Sequence, residues 1–324
     1  MGIKVGVVGA GGIAKLHLKI VSELREAQLV GICDVVKDNA EQAGAEYGIP
    51  AFEDAVELLN KTNPDVLFIC VPPFAHGPIE ELAAERGVHL LIEKPVGLDM
   101  DTVRRKAERF RQSNAIVSTG YCLRYMESLR KAREYLQDKQ IATVRAQRFS
   151  GLVQAPWWRE MSKSGGQLVE MTTHTVDMIR YLAGDVTKVY SDSALLLNDH
   201  VPNISIPDVT AVSFVLESGA IGQLMTSFIP QPAGRSDLEI AGDGFFLRLE
   251  GTTVTITEKD RTIVYESSAD FYKEQDEALI QAIIRQDRGL VLASYEEAMK
   301  TLEVTLGANE SMRTGQPVSL TQGW

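Results

Sequence analysis

The stretch Ile3-Lys4-Val5-Gly6-Val7-Val8-Gly9-Ala10-Gly11-Gly12-Ile13-Ala14 decides the fold. Ile3 to Val8 is a largely apolar, β-branched run that reads as a buried strand. Gly9 to Ala14 matches G-x-G-x-x-G/A, and helical spacing continues at once in Leu16, Ile20 and Leu24. A lone match to this pattern is weak; one that succeeds a strand and opens a helix has the context its chemistry requires. Gly9 permits the tight turn, Gly11 lets backbone approach a pyrophosphate, and Gly12 and Ile13 lead into the helix. Ala14 is small enough for that helix to pack closely on the sheet. The helix start then offers N–H groups and the positive end of its dipole to phosphates. Asp34 ends the next apolar run, Leu29 to Cys33, 20 residues after Ala14. A carboxylate there hydrogen-bonds the ribose hydroxyls of NAD and repels the 2′-phosphate of NADP, although nearby Lys37 softens that preference and leaves NADP possible. The alternative is a glycine-rich turn that only closes a βαβ unit.

Working outward, strand and helix patterns alternate as far as Ile116 to Thr119. Strands are expected at Val66 to Val71 and Val88 to Ile92, and helices at Asn39 to Tyr47, Ile79 to Arg86 and Met100 to Arg111. Alternating β and α with continuously apolar strands predicts a doubly wound parallel sheet of the Rossmann type. Beyond about residue 120 the pattern changes. Val209 to Leu216 and Ile221 to Phe228 flank Ser218-Gly219 as a hairpin, and most segments from Val186 to Tyr265 alternate polar and apolar residues. This predicts a C-terminal α+β domain with an open, mainly antiparallel sheet. The expected division is residues 1–121 and 122–324, with helices returning at Tyr272 to Arg285 and Tyr295 to Arg313.

Bulk composition narrows the function classes. The 324 residues suit two domains, and 44% hydrophobic with 24% charged residues is ordinary for a globular chain. A net charge of −11 argues against nucleic-acid binding and against a polybasic membrane patch. Cys33, Cys70 and Cys122 match no zinc or disulfide pattern, which agrees with a reducing compartment, and Cys33 and Cys70, inside apolar runs, read as buried thiols. With neither a secretory leader pattern after Met1 nor a long apolar run, a cytoplasmic protein is expected.

Two further segments carry chemistry. Glu93-Lys94-Pro95 comes directly after a strand, where catalytic groups of parallel sheets gather, and a lysine ammonium there can stabilise a developing alkoxide. A solvated surface lysine is the alternative. Glu170, His174 and Asp177 are spaced i, i+4, i+7 within an expected helix from Leu168 to Leu182, so they share one face. His174 then serves as a general base near neutral pH. A metal site and an exposed polar face are the other readings, and no metal is expected because no further ligand cluster stands out. His17 and His76 read as lining the cofactor side or as packing, and His89 and His200 as structural or exposed. Trp157-Trp158-Arg159 reads as a sugar-pocket wall or as core.

Taken in order, GAGGIAKLH ending at His17, Val71-Pro72-Pro73-Phe74-Ala75-His76, Glu93-Lys94-Pro95, Tyr121-Cys122-Leu123-Arg124-Tyr125 and the Glu170–His174–Asp177 segment resemble the glucose–fructose oxidoreductase, inositol dehydrogenase and rhizopine-catabolism (Gfo/Idh/MocA) family. The resemblance spans nearly the whole chain. It implies hydride transfer between a nicotinamide and a hydroxyl-bearing carbon of a sugar, cyclitol or related diol. Lys94 matches the family's catalytic lysine and His174 the histidine that takes the hydroxyl proton. Glu170 stands where many members have Asp, and Asp177 matches a residue that braces the helix. The resemblance further implies cofactor contacts from Val71, Pro72, His76 and Glu93, and substrate contacts from Tyr121, Arg124, Tyr125, Trp158 and Arg159. A homodimer or homotetramer built on the outer sheet face is implied as well. Rival readings are an NAD-using glycosidase or dehydratase on this scaffold, and a non-enzymatic protein that senses a dinucleotide or sugar.

Overall fold

The computed structural model describes residues 2–229 and 234–321. The chain divides into two compact units, Met1–Cys122 with Asp270–Ala298, and Leu123–Ala269 with Met299–Trp324. The first unit thus takes back a segment that the sequence assigns to the second. The reason is burial. Leu279, Ile280 and Ala282 of the helix Phe271–Arg285 join the core formed by Val5, Val7, Ala14 and Leu18. The rest of the returning segment is tied by hydrogen bonds: the Thr119 N–H donates to Ala293 O at 2.9 Å, and the Arg288 guanidinium donates to Ala115 O.

The first unit holds six parallel strands, β1 (Ile3–Val8), β2 (Ala27–Cys33), β3 (Ala51–Phe52), β4 (Val66–Ile69), β5 (His89–Ile92) and β6 (Val117–Thr119), in the order β3-β2-β1-β4-β5-β6. This is the doubly wound order whose switch point lies between β1 and β4. Strand β4 is buried at every position, as expected for a sheet covered on both faces. Strand β3 and the helix Ala55–Thr62, capped by the Asp54 carboxylate on the Glu57 N–H, are additions to the sequence reading. Two residues of strand carry too little alternation to be seen in sequence.

Among the described residues the second unit holds nine strands: β7 (Ile141–Phe149), β8 (Val186–Ala194), β9 (Val209–Leu216), β10 (Ile221–Ser227), β11 (Arg235–Gly242), β12 (Phe245–Glu250), β13 (Thr253–Glu258), β14 (Thr262–Glu266) and β15 (Val318–Ser319). Their order is β14-β13-β12-β11-β7-β10-β9-β8-β15. Pairing is antiparallel except between β7 and β10. These two are far apart in sequence, and the helices between them supply the crossover that a parallel pair needs. The helix Thr173–Ala183 packs on β7 and β11. Leu224, Leu238, Leu247 and Val254 point to the buried side. The opposite side carries Ile221, Gln223 and Met225 of β10 in register with Val215, Ser213 and Ala211 of β9.

Candidate active site

The glycine loop lies at the carboxyl end of β1. Gly9 has φ +98°, and a Cβ there would collide with the Cys70 carbonyl, so the turn needs glycine on two counts. Gly11 and Gly12 differ: both are exposed, neither has a positive φ, and a Cβ on either meets nothing within 4 Å. Their bareness answers no demand of the fold. It keeps open the space before the helix Gly12–Glu23, whose N-cap residue Gly11 has no side chain to cap it. Ala14 is fully buried against the sheet. At the end of β2 the Asp34 carboxylate accepts from the Ala10 N–H at 2.7 Å and from the Val36 N–H at 2.8 Å. The acid is thereby held against the glycine loop, with acceptor capacity remaining on each oxygen. Open backbone donors at a helix start beside a fixed carboxylate fit the diphosphate and ribose of a dinucleotide.

Val71 and Pro72 lie just past β4, and Glu93 and Lys94 just past β5. In the run Leu90–Gly97 Lys94 alone keeps part of its surface; its neighbours are buried. His76 is not open. Its side chain is 3% exposed and its Nδ1 meets Glu80 Oε1 at 2.6 Å, while Lys106 Nζ donates to Glu80 Oε2 at 2.7 Å. Burial pushes the Glu80 carboxyl up, but His76 and Lys106 outweigh it and hold it below the usual range. His17 is fully buried too, so it does not line an open cofactor surface. Its ring nitrogens face Asp276 and Glu93. His89 Nδ1 accepts from the Ile116 N–H, a structural role, and His200 is exposed.

In the second unit the expected continuous helix is broken. One helix runs Gly166–Glu170 and the next Thr173–Ala183. At the break the Thr172 N–H donates to Gln167 O at 2.9 Å, five residues back, and Thr172 is anchored sideways by its hydroxyl on Thr226 at 2.6 Å. The widened turn puts Glu170 in one helix and His174 and Asp177 in the next, so the three do not lie on one continuous helix. Asp177 turns inward, where Arg124 donates to it from Nε and Nη2 at 2.8 and 2.7 Å and Thr301 donates at 2.9 Å. Of the 11 residues in Thr173–Ala183, His174 alone is not buried. The half-buried Glu170 accepts from Trp158 Nε1 at 2.7 Å.

Several residues expected to contact substrate are buried. Tyr121 and Tyr125 are 1% and 3% exposed, and Trp158 sits in a small core with Ile206 and Phe228. Aromatic rings bury large apolar areas, and these are placed in core rather than at an open wall. Arg124 is committed to Asp177. Arg159 differs: it is half-buried, and its Nε has no hydrogen-bond partner among the described residues.

Residues 3–121 match the family described as "Oxidoreductase family, NAD-binding Rossmann fold", and residues 129–247 match the C-terminal domain of the same Gfo/Idh/MocA group. The chain belongs to this family. It is 26% identical to a myo-inositol 2-dehydrogenase of Thermotoga maritima, over 98% of each chain. It is also 26% identical to a scyllo-inositol 2-dehydrogenase (NAD(+)) of Bacillus subtilis, over 98% of this chain and 96% of that one. Among solved structures, a levoglucosan dehydrogenase in complex with NADH and L-sorbose superposes with a TM-score of 0.87. It is 18% identical and covers 99% of this chain and 100% of its own. A dehydrogenase from Bordetella pertussis in complex with NADH and UDP-GlcNAcA gives 0.86 at 22% identity, covering all of both chains.

Proposed function

We propose that this Gfo/Idh/MocA member is an NAD-dependent dehydrogenase that oxidises a secondary hydroxyl of a sugar or cyclitol, or runs the reverse reduction. The observation that carries the reading is the pair of half-open polar side chains in otherwise buried stretches, Lys94 after β5 and His174 in Thr173–Ala183. Burying the neighbours while leaving a lysine and a histidine reachable serves no packing purpose. The relatives named for inositol oxidation support the substrate class.

Gly9 to Ala14 would hold the diphosphate of NAD, Asp34 its adenosine ribose, and Val71, Pro72 and Lys94 its nicotinamide end. Bound NAD supplies the hydride acceptor, C4 of its ring. The Lys94 ammonium donates a hydrogen bond to the substrate oxygen and stabilises its negative charge as the proton leaves. The His174 imidazole takes that proton, and the carbon becomes a carbonyl carbon. Glu170, held by Trp158, supplies a fixed carboxylate. Asp34 favours NAD over NADP by repulsion of a 2′-phosphate.

We further propose a homodimer or homotetramer that covers the outer sheet face, where Ile221, Val264, Met225, Phe246 and Tyr190 are all more than a third exposed. A cavity of about 730 Å³ lies on this face, lined in part by Tyr190, Phe214, Ile221 and Phe246. A cytoplasmic setting fits the three buried, unpaired cysteines. Among the described residues no helix is long and apolar enough to cross a membrane. The test is a panel of sugars, cyclitols and diols, each with NAD and with NADP, monitored at the nicotinamide absorbance. Turnover with NAD and a polyol is expected. Clear preference for NADP would overturn the role of Asp34. Tightly retained NAD with substrate consumed but no NADH released would move the assignment to a glycosidase or dehydratase.

A further inference from the structure

His17 lies in the helix that starts at the glycine loop, and it is fully buried. Its Nδ1 faces both Asp276 oxygens, at 2.8 and 3.0 Å, and its Nε2 faces Glu93 Oε1 at 3.2 Å. While Asp276 and Glu93 are ionised they only accept, so the imidazole between them carries both protons; burial pushes the Asp276 carboxyl up, and the contact with His17 only partly offsets this. Burial pulls its pKa down, but Asp276 and Glu93 outweigh burial and raise it to about 10. The other titratable groups around it do not compete. Cys70, pushed up by burial, and Cys122, pushed up to about 12, stay neutral thiols, and Tyr272, edge-on to the imidazole, stays a neutral phenol. Phe68 closes a further side with its ring edge-on. The second oxygen of Glu93 accepts the backbone N–H of Lys94 at 3.2 Å. Gly120 packs so closely on this carboxyl group that a Cβ there would collide with it. The carboxylate is thus clamped between His17, Gly120 and the amide of the next residue.

We propose that Asp276, His17 and Glu93 form a buried carboxylate–imidazolium–carboxylate clamp that positions Lys94, making His17 a positioning residue for the reaction. This rests on the reading of Lys94 as the residue that stabilises the substrate oxygen. The clamp joins three pieces of chain: the dinucleotide helix, the turn after β5 and the returning helix Phe271–Arg285. It gives the return of that helix a chemical purpose beyond packing. The side chain of Glu93 is buried and therefore acts through its neighbour rather than on a ligand.

Two measurements test it without a known substrate. Nitrogen-15 histidine spectra of the full chain should show one imidazole, absent in His17→Gln, that stays doubly protonated at pH 8.5. Reductive methylation with carbon-13 labels the lysines, and the signal missing in Lys94→Ala identifies Lys94. That signal should move its titration midpoint by about half a pH unit or more in His17→Gln and Asp276→Asn, and return toward wild type in Asp276→Glu. If His17→Gln does not fold, the wild-type histidine is assigned through its response in Asp276→Asn, and that variant decides the lysine measurement. A neutral His17 at pH 8.5, or a Lys94 signal indifferent to both variants, overturns the clamp. On the substrate found by the panel, kcat should fall at least about tenfold in the clamp variants, with NAD affinity within about threefold of wild type. Wild-type turnover in Lys94→Ala would instead sink the assignment of Lys94, while the two spectroscopic results would still stand or fall on their own.

Discussion

At the scale of single residues, the two kinds of glycine in one loop separate folding from binding. Gly9→Ala would place a Cβ against the Cys70 carbonyl at φ +98°, and should lower Tm. Gly11→Ala meets no atom and no forbidden φ. It should leave Tm unchanged or raise stability by about 0.4–1 kcal/mol through the unfolded chain, while weakening NAD at least about tenfold because backbone approach to the diphosphate is lost. Melting curves with and without NAD check both arms, and unchanged NAD affinity in Gly11→Ala would refute the cradle. His174→Ala should lower kcat by roughly 10²–10⁴ with NAD affinity retained, since the histidine is not part of the glycine loop. Near wild-type turnover would pass the base to Glu170. His17 makes a prediction about pH. Its folded pKa of about 10 exceeds the ordinary histidine value of 6.5. Its stabilisation is therefore complete below pH 6.5 and disappears as pH rises toward 10. The Tm gap between wild type and His17→Gln should be largest near pH 6 and shrink steadily to pH 10.

At the scale of elements, the break between Gly166–Glu170 and Thr173–Ala183 governs which side chains reach the surface. Spacing alone puts Glu170, His174 and Asp177 together. The break at Thr172, with its hydroxyl contact to Thr226 and its bond to Gln167 O, sets Glu170 apart from His174 and Asp177, which share the next helix and differ in burial. Asp177 then becomes the buried partner of Arg124, with Tyr181 beneath the guanidinium. Removing one member of a buried ion pair strands the other charge, at a cost of about 3–5 kcal/mol. Arg124→Met and Asp177→Asn should each destabilise by an amount of that order, and the double variant by less than the sum. Urea unfolding of the three variants measures this. Additive losses would show that the two groups do not depend on each other.

For the whole molecule, the exposed sheet face is the feature that a lone chain leaves unexplained. Ile221, Met225 and Phe246 stand on it beside Arg145, whose guanidinium bonds Glu239, itself bonded by Arg248. An apolar field crossed by a fixed band of charge suits a second copy of the same surface. Light scattering should give a multiple of 35.6 kDa, and Ile221→Glu with Phe246→Glu should reduce it to the single-chain mass without loss of the fold. A wild-type mass near 35.6 kDa at micromolar concentration would rule the assembly out.

Local rules were enough for the part of this protein that local chemistry controls. The turn at Gly9, the helix behind it, the acid at Asp34 and the alternation of strand and helix are set by φ freedom, side-chain size and period, all written in consecutive residues. Lys94 and His174 entered the proposed site because their residue types suit proton and charge chemistry beside recognisable elements. The return of Phe271–Arg285 to the first unit was not legible, because an amphipathic helix does not say which core it will bury against. Nor was the fate of Tyr121, Arg124, Tyr125 and Trp158, since burial of a ring or a guanidinium depends on partners far away in sequence. His17 shows the division most plainly. Its place in a helix was fixed by neighbours three and four residues away, but its charge was decided by Asp276, 259 residues along the chain. Only tertiary packing, which removes water and brings two carboxylates to one imidazole, could set it.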